Sequence, residues 1–455
     1  MNRYLLNAEY NIENIEYEKN DDRLSVKVPM LKNNELLYGL GSLVRHLKVI
    51  DIYPTELGFD LISLATLVYL ADTRIDRTLH GQDSWTREIT IQIPVSDVVL
   101  WKQQHALLVR MLTFLTGDIW KIEFTKREWN FAKYIDQGDC EKTDRYDVAS
   151  LFSGGMDSLI STINLLEQKE NVLLISHAGD PFTKNAQAEI SESLDNDYTD
   201  TIHTWMNLWM VFKNDYLPEG GNDNNLRSRS FLFIAFGIFA ISGTKNLNEL
   251  LVPENGLIAL NVPLDITRAG SYSTRTTHPF YLNCWNALLS NLRSKYSVKN
   301  PYWNRTKGEM AAECLNQNEL KKMMKRSISC SSIAKARWMG KAPEQCGYCV
   351  PCIIRRAAMH KAFGNDVTSY TVESVKDMEV KHREGEGIQL RSFEYAIDKL
   401  KKRPGAEKLY IHKSGPLPND DGYLKELADT YKRGLTEVDQ WIRDSLAKEE
   451  EKSVD

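Results

Sequence analysis

Apolar and polar residues alternate at Leu24, Val26 and Val28, and again at Ile89, Ile91 and Ile93 just before Pro94. A two-residue period is that of a strand with one buried face. Between these two segments, Phe59 to Leu70 (FDLISLATLVYL) is long and apolar enough for a core helix, and Trp120 to Phe124 fits a further strand. Residues 1–145 therefore predict a compact N-terminal α+β domain. It carries no catalytic motif, and its lone histidines, His46, His80 and His105, read as ordinary surface or core residues.

From Tyr146 the pattern changes. YDVASLF is a buried-type strand ending in a turn, Leu159, Ile163 and Leu166 share one helical face, and NVLLIS supplies the next strand. That succession is a βαβ unit of the parallel-sheet kind, which places the chain in the α/β class. A buried helix at Phe231 to Ile241 and a strand at Glu249 to Glu254 extend the α/β domain over residues 146–375. Residues 376–455 open with the charged, glycine-containing stretch Lys381 to Gln389. They then place Leu424, Leu427, Tyr431, Leu435, Val438 and Ile442 on one face of an amphipathic helix, which predicts a helical C-terminal subdomain.

The 455 residues are 42% hydrophobic and 26% charged, an ordinary globular composition that excludes low-complexity and fibrous classes. A net charge of -5 argues against capture of nucleic acid by bulk electrostatics, so direct nucleic-acid binding is not expected. The longest apolar run, Phe231 to Ile241, is too short to span a bilayer, and the N-terminal residues lack the pattern of a secretory signal. A cytoplasmic location without membrane association is the expectation.

Candidate chemistry lies in two places. Ser153-Gly154-Gly155-Met156-Asp157-Ser158 falls between the buried strand and the amphipathic helix. Two glycines let the backbone turn tightly against a phosphate, Ser153 and Ser158 add hydroxyls, and the helix N-terminus adds partial positive charge. Asp157 beside phosphates calls for a divalent cation, so Mg²⁺ is expected there. A lysine after the glycines is missing, which separates the loop from the Walker A pattern.

The second place is Cys346-Gly-Tyr-Cys349-Val-Pro-Cys352, with Cys330 upstream. Four thiolates suit tetrahedral Zn²⁺, and an iron–sulfur cluster is the alternative. Arg355 and Arg356, one helical turn beyond Cys352, either face the nucleotide site or are surface charge.

The hexapeptide resembles the SGGxDS pyrophosphate loop of the PP-loop ATP pyrophosphatases. The resemblance implies a parallel-sheet domain of the adenine nucleotide alpha hydrolase (HUP) type, with ATP held by Ser153, Gly154, Gly155, Asp157 and Ser158. It also implies cleavage of ATP between the α and β phosphates to activate a carboxylate or carbonyl oxygen as an adenylate. Together, this loop, the C…CGxCxxC set and the trailing arginine resemble QueC, the 7-cyano-7-deazaguanine synthase family, over about half the chain. Arg229-Ser230-x-x-Phe233 takes the place of a nucleotide-facing R-N-x-x-F segment, with Ser where Asn is usual. His177 stands where PP-loop enzymes approach adenine, a hydrogen-bonded loop histidine with no ligand contact being the equal alternative.

QueC enzymes are about half this length and lack both flanking regions, and Pro253–Gly256 and Ser273–Pro279 replace their substrate loop. The layout resembles the longer QueC-like proteins of bacterial anti-phage (Qat-type) defence systems. The resemblance implies an ATP-dependent, C–N bond-forming ligase with structural zinc. Its substrate would be a carboxylate such as 7-carboxy-7-deazaguanine and its acceptor an amine, either ammonia or a group on a protein partner. Asp157, Ser158 and Arg275 are the expected catalytic residues. Arg275 would clamp a carboxylate or phosphate with its guanidinium fork, an ordinary surface ion pair being the equal alternative. A nitrile-forming synthase, a tRNA-modifying PP-loop enzyme and a non-catalytic nucleotide sensor are the competing readings.

Overall fold

The computed structural model describes residues 3–451 except 22, 139, 224–225, 266–274, 332, 334–339, 341–343 and 382. The first sheet is built from β1 (Arg3–Glu9), β2 (Glu16–Asn20), β3 (Arg23–Pro29), β6 (Glu88–Val95) and β7 (Ile119–Lys126), in the order β2-β3-β1-β6-β7. A two-residue ribbon, β4 (Leu31–Lys32) and β5 (Glu35–Leu36), stands apart from it. In register, Leu6 faces Val26 on one side and Ile91 on the other, and Ile91 faces Ile122. These four make one apolar row across the sheet, and all are buried.

The strands and the core helix stand where the periodicity placed them, but the α+β expectation for this region is corrected. β1, β3, β6 and β7 all run parallel, and only β2 is antiparallel. Alternation shows a half-buried strand and says nothing of its direction. Crossovers through the helix Glu56–Arg74 before β6 and the helix His105–Thr116 before β7 return the chain to the same end of the sheet.

The second sheet holds β8 (Val148–Leu151), β9 (Val172–Ala178), β10 (His203–Trp209), β11 (Glu249–Leu251) and β12 (Ser297–Lys299) in the order β10-β9-β8-β11-β12, and every pairing is parallel. The chain winds outward one way from β8 through β9 to β10, then restarts on the other side at β11. Beyond the strand ends between β8 and β11 lies the switch point of a doubly wound sheet, the crevice where such folds take ligands.

Between the two sheets the helices Glu56–Arg74 and Arg229–Ile241 pack on each other, the first against β6 and the second against β8. Both are apolar on nearly every face because both have neighbours on every side. One apolar cluster accordingly runs from Leu6 and Ile91 through Phe59 to Leu151 and Ile175, across the boundary that the sequence suggests near 145. A second cluster joins Cys346 and Cys352 to Leu427, Tyr431 and Trp441 of the 31-residue helix Asp421–Glu451, across the one near 375. Among the described residues no helix is long and apolar enough to cross a membrane.

Candidate functional site

At the end of β8 the chain turns through Ser153 and Gly154 into the helix Met156–Glu167. Gly154 has φ +78°, a conformation that a side chain disfavours, and an added Cβ would lie 3.0 Å from Gln187 Cγ. Gly155 is the N-cap and has no side chain to cap the helix, while the Ser329 hydroxyl accepts from Met156 N at 3.4 Å. The hydroxyls of Ser153 and Ser158 lie 3.1 Å apart, and Ser158 donates to the Gly155 carbonyl at 3.0 Å. The helix is anchored by Met156, Leu159, Ile160 and Ile163, all buried.

Asp157 points away from solvent. Lys307 Nζ lies 2.7 Å from its Oδ1, while Asn255 donates to Oδ2 from its side chain at 2.7 Å and its backbone at 3.1 Å. Asn255 is also the cap of the short helix Gly256–Leu260, accepting from Ile258 N through its own Oδ1. Lys307 is the first residue of the helix Lys307–Ala312, fixed by the reciprocal cap of Thr306 and Glu309. Asp157 therefore ties the glycine loop to the segment after β11 and to a helix more than a hundred residues downstream. Sequence reading named Asp157 and missed both partners; Thr306-Lys307-Gly308-Glu309 does carry a legible capping-box signal.

Two cavities, of about 700 and 510 Å³, meet at this loop and share Ser153, Arg229, Glu254 and Ser329 in their walls. The larger is lined as well by Arg227 and Arg275, and the smaller by Asp157, Lys307 and Tyr348. Each of the three arginines is braced on the protein. Arg227 donates to the Thr116 carbonyl at 2.8 Å and stacks over Trp85. Arg275 donates to the Phe114 carbonyl at 2.5 Å with its guanidinium 4.4 Å from that ring. Arg229 donates to the His177 carbonyl at 2.9 Å and approaches His177 Nδ1 at 3.3 Å. Ser273 and Thr274, singled out beside Arg275, lie outside the described residues.

His177 is corrected as a contact residue. It belongs to β9, whose seven residues are all buried, and it lies behind Arg229 and Tyr69 rather than in either cavity wall. Burial, reinforced by the Arg229 charge, pushes its imidazole down to about 3, so it is neutral and structural.

Glu254, directly after β11, went unranked in the sequence. Its carboxylate accepts a hydrogen bond from the Thr277 hydroxyl, and its backbone N–H and carbonyl are both held by Asn300. Burial pushes its pKa up to about 7; the Thr277 bond and Lys307 oppose that shift, and the Asp157 charge adds to it.

The four cysteines converge. Their sulfurs lie within 4.8 Å of one another, with Cys346 to Cys352 at 4.0 Å and Cys330 to Cys349 at 3.9 Å. Four thiolates at ~2.3 Å from one zinc ion would stand about 3.8 Å apart, so the set could hold a metal ion such as zinc. Disulfide bonding is excluded at these separations. Cys346 N approaches Cys330 Sγ at 3.4 Å and Cys349 N approaches Cys346 Sγ at 3.3 Å, the backbone N–H donation that thiolate ligands attract.

Neither reading of the two following arginines holds. Arg355 is fully buried and donates to the carbonyls of Met324 and Ser327 at 2.6 and 3.0 Å. Arg356 lies between the rings of Tyr370 and Trp441. Arg355 thus braces the segment Ser327–Cys330, whose Ile328 N–H donates to the Gly154 carbonyl at 2.9 Å and whose Ser329 hydroxyl accepts from Met156 N at 3.4 Å. The cysteine cluster and the glycine loop are therefore joined through two residues. Comparison with protein-family models and with curated proteins finds no match to this chain.

Proposed function

We propose that this chain is a QueC-like PP-loop ligase of the long kind associated with bacterial anti-phage (Qat-type) systems. In this reading it binds ATP, adenylates a planar carboxylate such as 7-carboxy-7-deazaguanine and passes the acyl group to an amine, with AMP and pyrophosphate released. The observation that carries it is the helix N-terminus behind Ser153-Gly154-Gly155, placed at the switch point of a parallel sheet and opening on a cavity walled by Arg227, Arg229 and Arg275. A helix N-terminus and three guanidiniums make a site for a polyanion.

The residues present fit MgATP in charge and in space. Ser153, Gly154, Gly155 and Ser158 would hold the phosphates, and a cavity of about 700 Å³ is of the size that small-molecule sites use. Asp157 would hold Mg²⁺ through whatever capacity Lys307 and Asn255 leave it, and the ion would neutralise phosphate charge. Attack of the substrate carboxylate on the α-phosphorus forms the acyl–phosphate bond and breaks the bond to pyrophosphate. Positioning and charge neutralisation account for such a step, with Arg275 and Arg229 as the fixed cations and no nucleophilic side chain needed. Zinc on Cys330, Cys346, Cys349 and Cys352 would hold Ser329 against the loop.

The test is AMP release from ATP and Mg²⁺, with and without 7-carboxy-7-deazaguanine, followed by mass analysis of products formed with ammonium or with a protein amine. AMP that depends on the base supports the reading. ATP binding without base-dependent AMP under any of these conditions overturns it in favour of a nucleotide sensor.

A further inference from the structure

We propose that Glu254 forms the acceptor-amine site of the reaction inferred above, receiving a primary ammonium group and taking its proton as the amine attacks the acyl adenylate. This rests on that reading and goes beyond it by assigning the second half-reaction to a residue. Among the described residues that line the larger cavity, Glu254 is the one carboxylate, set among Arg227, Arg229 and Arg275. It stands at the junction, because it lines both cavities together with Ser153 and Arg229. An ammonium entering the larger cavity meets one fixed anion within reach of the glycine loop, the Asp157 carboxylate in the smaller cavity being held by Lys307 and Asn255, and the three arginines already rest on protein acceptors.

The carboxylate is aimed. Asn300 fixes the backbone on both sides of its peptide, with 2.8 Å from Nδ2 to the Glu254 carbonyl, and the Thr277 hydroxyl occupies Oε2. The next residue, Asn255, locks Asp157, so the carboxylate is registered against the phosphate loop through a single peptide. A base that titrates near neutrality suits an amine, which is protonated in water and unreactive until it loses a proton. The groups that face Glu254 are Thr277 on its own wall, Asp157 and Lys307 across the smaller cavity, and Arg227, Arg229 and Arg275 across the larger.

The step balances without redox chemistry. The ammonium gives its first proton to Glu254. The nitrogen lone pair then forms the C–N bond, the bond from the acyl carbon to the AMP oxygen breaks, and the second proton leaves with the departing phosphate. Glu254 returns its proton to water.

The experiment splits the two half-reactions in the full-length protein. Base-dependent ATP–pyrophosphate exchange reads adenylation, and amide formation with ammonium or methylamine reads transfer. Glu254→Gln is expected to cut transfer by about a hundredfold or more, the usual worth of a positioned base, while exchange stays within about tenfold of wild type. Thr277→Val removes a hydrogen bond that favours the ionised carboxylate, so the rising limb of the transfer pH profile should move to higher pH. Equal loss of exchange and transfer in Glu254→Gln would overturn the assignment in favour of a role in the ATP half-reaction, as would undiminished transfer. An unmoved limb in an active Thr277→Val protein would also overturn it. Absence of base-dependent exchange in the wild type would instead sink the reading of the function, a distinguishable failure.

Discussion

If the cysteine cluster holds a metal, removing it should weaken the proposed ATP binding, although the proposed chemistry routes no step through a thiolate. The path is short. Cys330 follows Ser329, the Ser329 hydroxyl accepts from Met156 N, and Ile328 N–H donates to the Gly154 carbonyl. Cys330 and Cys346 are 16 positions apart, so a metal bridging them closes a loop of that length. The chain-entropy cost of closing a loop of about 16 residues is ~3 kcal/mol. If the freed segment must be reordered each time nucleotide binds, that cost falls on the binding equilibrium. At 1.4 kcal/mol per decade it weakens the affinity about a hundredfold. The assay is calorimetric titration of ATP into chelated and untreated protein, with metal content measured and circular dichroism used to confirm that the sheets persist. Metal-free, folded protein that binds ATP within about twofold of the untreated sample would refute the reasoning. Arg355→Met should act in the same direction with the metal still in place, since Arg355 braces the same segment at Ser327.

Two further outcomes follow from groups in and behind the site. Lys307→Met leaves the enclosed Asp157 carboxylate with only Asn255, and breaking such a pair from one side typically costs about 3–5 kcal/mol, read as a lower urea midpoint. Asp157→Asn added to Lys307→Met should recover part of that loss, and additive losses would refute the clamp. His177 is held down to about 3 in the fold against an ordinary value near 6.5, so its contribution to stability is complete above pH 6.5 and shrinks as pH falls towards 3. The stability gap between wild type and His177→Asn should narrow by about 1 kcal/mol between pH 6 and pH 5, and a constant gap would show that the imidazole titrates in the folded state.

The regular elements were legible wherever burial imposed a period. Leu24-Val26-Val28 and Ile89-Ile91-Ile93 became β3 and β6, Phe59–Leu70 became the middle of a core helix, and the face from Leu424 to Ile442 became the long C-terminal helix. The glycine loop was legible because Gly154 must adopt positive φ and two serines flank it, and the cysteines were legible because close C-x2-C spacing has few other uses. Long-range partners were not. Nothing local in Lys307 announces Asp157, and nothing in Phe114 announces Arg275, since each pair meets only after the sheets have formed. His177 illustrates the converse error. Position after a strand suggested a ligand contact, but a strand with both faces covered also buries its last side chains. Glu254 escaped because a single glutamate after an apolar run carries no periodic signal, and its environment is assembled from Asn300, Thr277 and Lys307.

The flanking regions are built into the walls of the site. The helix His105–Thr116 ends with the Phe114 and Thr116 carbonyls accepting Arg275 and Arg227, so two of three cavity cations are aimed from outside residues 146–375. On the opposite side, Glu437 of the last long helix accepts from the Thr306 hydroxyl at the head of the helix that presents Lys307. The helix Arg229–Ile241 loses its main neighbour if Glu56–Arg74 is removed, and its apolar faces, Phe231 to Ile241, would meet water. A chain cut to residues 146–375 should therefore fail to unfold cooperatively and should aggregate, whereas a self-sufficient nucleotide domain with appended modules would survive the cut. A soluble fragment that melts cooperatively and binds ATP as the whole chain does would show that the flanking regions are attachments. Its failure, with the full chain intact, would mean that the proposed nucleotide site is built on one continuous core.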